Sequence, residues 1–140
     1  MDTHSKAQRS FNMSRIRSRD TVPEMIVRRL LFSMGYRYRV NSKDLPGKPD
    51  IVFTRKRKVI FVHGCFWHRH ANCRYATMPN TNTNFWHAKF NRTKERDKEN
   101  YQSLKLMGWE YIVIWECKIK KGNTGYLKNR LQKFLRMQPV

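Results

Sequence analysis

The chain has 140 residues, and its 30 lysines and arginines against 10 aspartates and glutamates give a formal net charge of +20. This length fits a single domain with its own core, and a hydrophobic fraction of 39% is not that of a disordered chain. The surplus of positive charge indicates a polyanionic partner, with nucleic acid ahead of a membrane surface. No apolar run could span a bilayer and no signal peptide opens the chain, so we expect a cytoplasmic protein without a membrane partner.

The hydrophobic pattern predicts alternating helices and strands after a basic arm. Residues 1–20 are polar and carry five lysines and arginines, which we expect to contact nucleic acid, and residues 21–140 form one folded domain. The predicted elements are, in chain order, a helix over about 21–34, a strand over 36–40, a hairpin of strands 51–53 and 59–62, a helix over about 84–107, a strand over 109–115 and a helix from 124 or 125 to about 135. This order predicts an α/β fold, with a mixed sheet flanked by helices.

The segment from Ile51 to Lys94 has an unusual composition. It contains no acidic residue, but it holds four of the five histidines, two of the three cysteines and two of the four tryptophans. Such a composition is typical of a face that is turned toward phosphates and bases. Residues 64–82 of this segment form a loop that is long for a compact domain, which indicates a functional element.

The three cysteines, together with one nearby histidine, form a candidate structural zinc site. Cys65 and Cys73 lie in the long loop, and Cys117 follows the last predicted strand. An odd number of cysteines beside histidines favours metal ligation over disulfides in a reducing compartment. Three cysteines and one histidine are a usual set of zinc ligands, but the spacing leaves both His68 and His70 open as the fourth ligand. The alternative is a group of buried free cysteines beside surface histidines.

A second group of side chains could hydrolyse a phosphodiester. Asp50 opens the strand 51–53, where it could hold Mg²⁺, and Glu24 lies in the first turn of the first helix. His63 ends the next strand, and His68 lies in the loop beside it. Hydrolysis requires a cation that stabilises the transition state and a base that activates water. Each residue alone has an ordinary structural explanation, as a turn, a helix cap or a hydrogen-bonded strand end, but the combination favours a nuclease.

Several blocks of residues resemble the sequence pattern of one enzyme family. The blocks are Arg19-Asp20-Thr21, Leu45-Pro46-Gly47-Lys48-Pro49-Asp50, Phe61-Val62-His63-Gly64-Cys65-Phe66-Trp67-His68, Asn84-Phe85-Trp86, Glu95-Arg96-Asp97, Leu106-Met107-Gly108-Trp109 and Trp115-Glu116-Cys117. They are similar to those of the very short patch repair (Vsr) mismatch endonucleases, over about residues 6–117. The resemblance implies a PD-(D/E)XK nuclease fold. It also implies nicking of one strand beside the thymine of a T·G mismatch, which arises when 5-methylcytosine deaminates.

The resemblance implies a role for each candidate catalytic residue. Asp50 and the backbone carbonyl of Val62 would bind Mg²⁺, and Glu24 would hold a metal-bound water. Val62 stands where the family's type member has threonine, a change that a carbonyl contact survives. His68 would be the general base, and His63 would assist at the phosphate.

The resemblance also implies a set of zinc ligands and a set of residues that enter the DNA stack. The zinc ligands would be Cys65, His70, Cys73 and Cys117, which leaves His68 for chemistry. The residues at the mismatch would be Phe66, Trp67, Trp86 and, from the basic arm, Met13. Apolar rings that wedge between base steps unstack them at a cost of a few kcal/mol, and the cost is lower beside a mismatch. The alternative for Trp86 is a place in the core along a long helix.

Three other functions compete with this prediction. A non-catalytic zinc module would bind DNA without needing Asp50, His63 and His68, and a ββα metal nuclease would not place Asp50 before a strand. A nicking endonuclease with relaxed mismatch specificity is the third alternative. The resemblance implies mismatched double-stranded DNA as the partner, with mismatch-repair proteins as further candidates. It also implies a bacterial, nucleoid-associated location, and we expect a monomer because the lesion is asymmetric.

Overall fold

The computed structural model describes residues 20–120 and 124–136, which form four helices and four strands. The elements are α1 (Val22–Ser33), β1 (Arg39–Val40), β2 (Ile51–Phe53), β3 (Lys58–His63), α2 (Thr83–Leu106), β4 (Glu110–Trp115), α3 (Glu116–Lys120) and α4 (Thr124–Arg136). The predicted α/β class is therefore confirmed. Most of the basic arm, including Met13, lies outside the described residues.

The sheet is mixed, with the strand order β1-β2-β3-β4. β1 pairs with β2 and β2 with β3 in antiparallel fashion, as the predicted hairpin requires. β3 and β4 are parallel, and their registers place His63 opposite Trp115. A parallel pair needs a crossover connection, which here contains the long helix α2. The carboxyl ends of β3 and β4 therefore meet at one edge of the sheet, and the loops that leave this edge carry the candidate site.

The two faces of the sheet are covered by different helices. One face packs against α1, α3 and α4 through buried aliphatic side chains that include Leu31, Ile60 and Leu131. The other face packs against α2 through a smaller cluster that includes Phe61 and Leu104. Because β3 is buried on both faces, it forms a continuous apolar run, as a central strand with a parallel neighbour should.

The start of α1 follows from its capping residues. The Thr21 side chain accepts a hydrogen bond from the Glu24 backbone N–H at 3.4 Å, and the Glu24 carboxylate accepts one from the Asp20 N–H at 2.8 Å. This exchange is a variant of the capping box, in which two N-terminal N–H groups are satisfied reciprocally. The helix ends before Gly35, whose φ of +93° suits a residue without a side chain.

Two elements differ from the sequence prediction. The strand predicted over residues 36–40 is only the pair Arg39–Val40, and the rings of Tyr36 and Tyr38, which precede it, pack edge-on against Phe53. The short helix α3 follows β4 directly and was not predicted, since five residues are too few for a helical pattern to be visible. Among the described helices, none is long and apolar enough to cross a membrane.

Candidate functional site

The loop after β3 begins with a tight turn that separates two histidines. The His68 N–H donates to the Gly64 carbonyl and the His70 N–H to the Cys65 carbonyl, both at 3.1 Å. Between them Arg69 has a φ of +53°, in the left-handed region that few residues other than glycine adopt. The turn directs His68 toward α2 and His70 toward α3, so the two side chains enter different clusters.

Asp50 lies beside the end of β3. Its carboxylate accepts a hydrogen bond from the Val62 backbone N–H at 2.6 Å. The carbonyl and N–H of a residue in an extended strand point to the same side, so the Val62 carbonyl also faces Asp50. Continued two residues beyond Ile51, the register of β2 and β3 would bring Val62 opposite Pro49, which has no N–H to donate to that carbonyl. A carboxylate and a carbonyl oxygen thus share one small space, and these are the ligands that Mg²⁺ prefers.

The surroundings of Asp50 favour its neutral form. Burial raises the pKa of this carboxyl to about 7, and the nearby negative charge of Glu24 adds to the shift. The Val62 N–H, Arg28 and His68 act in the opposite direction. A divalent cation would remove this penalty, because it replaces lost solvation with direct coordination.

Glu24 is buried near Asp50, and it also belongs to an ion network. Its carboxylate lies 3.3 Å from the guanidinium of Arg28, which in turn contacts Asp20 at 2.8 Å. Arg28 also donates to the Asn41 side chain at 3.4 Å. Glu24 therefore has a structural role at the start of α1 while facing the carboxyl of Asp50.

The two remaining candidate catalytic residues, His63 and His68, stack on each other. Their ring centroids are 3.7 Å apart, and the ring planes differ by 6°. The Nδ1 atom of His68 lies 2.7 Å from the Asp97 carboxylate, and the Nδ1 atom of His63 lies 3.3 Å from the Tyr101 hydroxyl. Burial, together with the charge of His68, lowers the pKa of His63 to about 3, so this ring is neutral near pH 7.

The four residues Cys65, His70, Cys73 and Cys117 form a compact group, hereafter the cysteine cluster. Each offers one ligand atom, and these atoms lie within 4.8 Å of one another. The Cys117 sulfur is 3.5 Å from Nδ1 of His70, and the Cys117 N–H donates to the Cys65 sulfur at 3.4 Å. The ring of His70 also stacks on Trp115, with centroids 4.2 Å apart. The cluster joins the long loop to the first turn of α3.

The donor set of the cysteine cluster fits a tetrahedral zinc ion. Zn–S bonds of about 2.3 Å place two sulfur ligands roughly 3.8 Å apart, which is within the observed spread. Burial raises the pKa of the Cys65 thiol to about 12 when no cation balances it, so a cation is needed to keep the thiolate. His68 does not belong to this cluster, because its ring is held by Asp97.

An aromatic group lies between the long loop and the start of α2. Phe66 contacts the rings of Trp67, Trp86 and Phe90 with centroids 5.0, 5.6 and 5.2 Å apart, all edge-on. Trp67 and Trp86 are 6.0 Å apart. Of this aromatic group only Phe90 is buried, whereas Phe66, Trp67 and Trp86 are partly exposed. The group therefore presents three large rings to solvent on a rigid base.

The sequence matches a known family over more than half of its length. A profile described as DNA mismatch endonuclease Vsr matches residues 1–75. The DNA mismatch endonuclease Vsr of Escherichia coli K12 is 43% identical over 137 residues, covering 96% of this chain and 87% of that protein.

Two nicking enzymes are similarly related. The type II nicking enzyme V.NmeAIP of Neisseria meningitidis serogroup A is 42% identical over 135 residues, covering 96% of this chain and 94% of that enzyme. The type II nicking enzyme V.XorIIP of Xanthomonas oryzae pv. oryzae is 42% identical over 134 residues, with 96% of both chains covered.

The chain belongs to the Vsr family. It is accordingly a DNA endonuclease, and the predicted membership of this family is confirmed. In this Vsr chain the catalytic candidates Asp50, His63 and His68 gather where β3 ends, while the cysteine cluster lies on the other side of the same turn.

The contacts of two residues at this Vsr site were not predicted from the sequence. Asp97 was noticed only as part of a matching block, and Tyr101 was not singled out. Their spacing of four residues places them on one side of α2, and there they contact the two stacked histidines. This spacing was visible in the sequence, but its meaning depends on which side of α2 faces the loop.

Proposed function

We propose that this Vsr-family endonuclease nicks one strand beside the thymine of a T·G mismatch, in a reaction that depends on Mg²⁺. The proposal rests on one observation: a candidate cation site and a candidate general base lie close together at the end of β3. The Asp50 carboxylate and the Val62 carbonyl face one another, and His68 lies nearby with its Nδ1 bound to Asp97. A cation ligand beside an oriented base is the arrangement that phosphodiester hydrolysis requires.

The orientation of His68 assigns its chemical role. Because an ionised carboxylate can only accept, Nδ1–H of His68 donates a hydrogen bond to Asp97, so Nε2 carries the lone pair and can accept a proton from water. The negative charge of Asp97 then stabilises the imidazolium that forms. In this scheme His68 is the general base and Asp97 holds its tautomer.

The other site residues bind or orient. Mg²⁺ held by Asp50 and the Val62 carbonyl would stabilise negative charge on the phosphate. His63 stays uncharged and stacks on His68. In this position the N–H of the His63 ring can donate a hydrogen bond to a phosphate oxygen. Glu24, buried close to Asp50, would orient a water molecule on the cation.

Zinc has a structural role in this proposal. Cys65, His70, Cys73 and Cys117 would hold the ion, and His68 would take no part in its binding. Structural zinc sites contribute binding free energy directly to folding, so the ion offsets the ordering entropy of the long loop. The sheet with its flanking helices would then be a variant of the PD-(D/E)XK nuclease fold.

The exposed aromatic rings would detect the mismatch. Phe66, Trp67 and Trp86 project from a rigid base, and large apolar rings can open a base step. A T·G pair stacks and pairs less firmly than a matched pair, so the unstacking cost favours the lesion. The arm of residues 1–20, with Met13, would contact the same DNA from the other groove, and one protomer would serve one asymmetric lesion.

The decisive experiment is strand-specific cleavage of a set of labelled duplexes. Each duplex carries T·G, another mismatch or a matched pair in the same surrounding sequence. The protein is dialysed free of Mg²⁺ without a strong chelator, so that zinc is retained, and Mg²⁺ is then added or omitted.

We expect one nick beside the thymine of T·G, in the presence of Mg²⁺ only. Equal nicking of every mismatch would favour the relaxed-specificity alternative. DNA binding without nicking under all conditions would favour a non-catalytic module.

A further inference from the structure

One arginine of the long loop makes unusually many contacts with backbone carbonyls. Nη1 of Arg69 donates to the carbonyls of Phe66 and Thr77, both at 3.1 Å. Nη2 donates to the Ala76 carbonyl at 3.0 Å. The guanidinium therefore joins the outgoing part of the loop, which carries the exposed rings, to the part that returns ten residues later.

The same guanidinium lies against the aromatic group. Its central carbon is 3.9 Å from the centroid of the buried Phe90 ring and 5.6 Å from that of Phe66. A cation over an aromatic face is attracted by the ring quadrupole, and more strongly where water is excluded. Arg69 thus connects the backbone of Phe66 to the buried ring of Phe90 in α2.

The cysteine cluster alone does not fix these rings. Cys65 and Cys73 anchor the loop on either side, but Phe66 and Trp67 lie between the anchors. The backbone hydrogen bonds at His68 and His70 shape the turn, and the guanidinium of Arg69 ties the Phe66 carbonyl to the returning part of the loop. A planar fork with several fixed donors suits this task, whereas a lysine ammonium offers a single point of charge.

We propose that Arg69 is a positioning residue, which holds Phe66 and Trp67 in the geometry with which they enter the base stack. This inference rests on the proposed function, in which those rings detect the mismatch. Arg69 would contribute little by binding phosphate, because its donors are directed at carbonyl groups of the protein. Pre-organising the rings lowers the entropy lost when DNA binds.

The test replaces Arg69 by lysine, which keeps the positive charge but loses the fork. The matched control is Arg74→Lys in the same loop, where the guanidinium donates to the neighbouring Tyr75 hydroxyl at 2.9 Å. The substrate is a duplex with 2-aminopurine beside the T·G mismatch, whose fluorescence rises when the base is unstacked. The zinc content and melting temperature of each variant are measured first, to show that the fold is kept.

We expect Arg69→Lys to lose most of the fluorescence rise, and to lower the ratio of T·G to matched-duplex nicking about tenfold, because small displacements of contact groups are costly. Arg74→Lys should behave as the unmodified protein. In Arg69→Ala, guanidinium chloride at a non-denaturing concentration should restore part of the signal, while the same concentration of sodium chloride should not.

Two results would separate this inference from the proposed function. If the unmodified protein neither nicks nor unstacks the T·G duplex, the proposed function fails. If it does both and Arg69→Lys does so equally well, the assignment of Arg69 is wrong. If Arg69→Lys binds the T·G duplex more weakly but gives the same fluorescence rise, Arg69 contacts a phosphate instead. That result would equally overturn the positioning role.

Discussion

The cysteine cluster and the stacked pair of histidines are built from neighbouring residues but have opposite properties. In the cysteine cluster four ligand atoms converge on one point. In the histidine pair the rings are parallel, and each is held through Nδ1 by a different side chain of α2. His68 and His70 are separated by Arg69 alone, so the chemistry of each histidine is decided by the partner that its turn allows it to reach.

The comparison explains why spacing could not choose between the two histidines as zinc ligands. Both Cys65-x₂-His68 and Cys65-x₄-His70 are possible metal-binding spacings. The choice depends on Asp97 and Cys117, which lie 29 residues from His68 and 47 residues from His70.

Asp50→Asn should strongly slow DNA nicking and leave the cysteine cluster intact. Loss of a cation ligand removes several kcal/mol of transition-state stabilisation, so we expect nicking to slow about 10³-fold or more. Zinc content and affinity for the mismatched duplex should change little. Single-turnover nicking and metal analysis provide the measurements, and a variant that still nicks at a normal rate would remove Asp50 from the site.

Alanine at His68 and alanine at His70 should have contrasting effects. His68→Ala should slow nicking by about 10²- to 10⁴-fold with its zinc retained, as expected for a lost general base. His70→Ala should lower the zinc content and the melting temperature, because the ion loses one of four ligands. The exposed His87 provides the control substitution. Zinc loss from the His68 variant instead would reverse the assignment of the two residues.

Asp97→Asn should have a smaller effect than the loss of His68 itself. The amide can still contact the ring, but it no longer stabilises the imidazolium, so kcat should fall by about 10- to 10³-fold with KM nearly unchanged. Glu99→Gln, an exposed change on the same helix, is the control. A pure rise in KM would show that Asp97 acts in DNA binding rather than through His68.

The last prediction concerns stability in the absence of Mg²⁺, where no nicking is expected. The pKa of Asp50 is about 7 in the folded protein and has its ordinary value of 3.8 in the unfolded chain. Between these two pH values the folded state therefore binds one more proton than the unfolded chain does. The free energy of unfolding should consequently fall as the pH rises from about 4 to above 7.

Thermal melts at several pH values would measure this slope. Asp50→Asn should flatten the slope, whereas Asp44→Asn, at an exposed position, should not. Adding Mg²⁺ should restore stability mainly at the higher pH, because the cation binds the ionised carboxylate. An identical pH dependence for the Asp50 variant and the unmodified protein would contradict the prediction.

The parts of the fold that sequence could predict are those fixed by local rules. The cap at Thr21, the hairpin of β2 and β3, and the long helix α2 follow from short-range patterns, and the structure confirms them. The placement of Asp50 at the start of a strand was equally visible. β1 was predicted too long, because Tyr36 and Tyr38 both pack against Phe53 and so give residues 36–38 the alternating pattern of a strand outside the ladder.

The parts that sequence could not predict depend on contacts between distant residues. Tyr101 reaches His63 across 38 residues, and Cys117 meets Cys65 across 52. Asp97 carries no local sign of its role, since a carboxylate on a polar helix is usually a solvated side chain. The family resemblance implied a zinc set with His70, but no pattern revealed what holds the rings of His63 and His68.

The long helix α2 fixes the distance between two of the candidate site residues. It carries Trp86 near one end and Asp97 eleven residues later, and an α-helix rises about 1.5 Å per residue, so these positions lie roughly 16 Å apart along one stiff rod. Loop motion cannot stretch that interval. In the proposed function, with Trp86 at the lesion and Asp97 beside the general base, the helix would set the distance between the lesion and the cut, and inserting four residues, about one turn, between the two positions should shift the cut relative to the lesion.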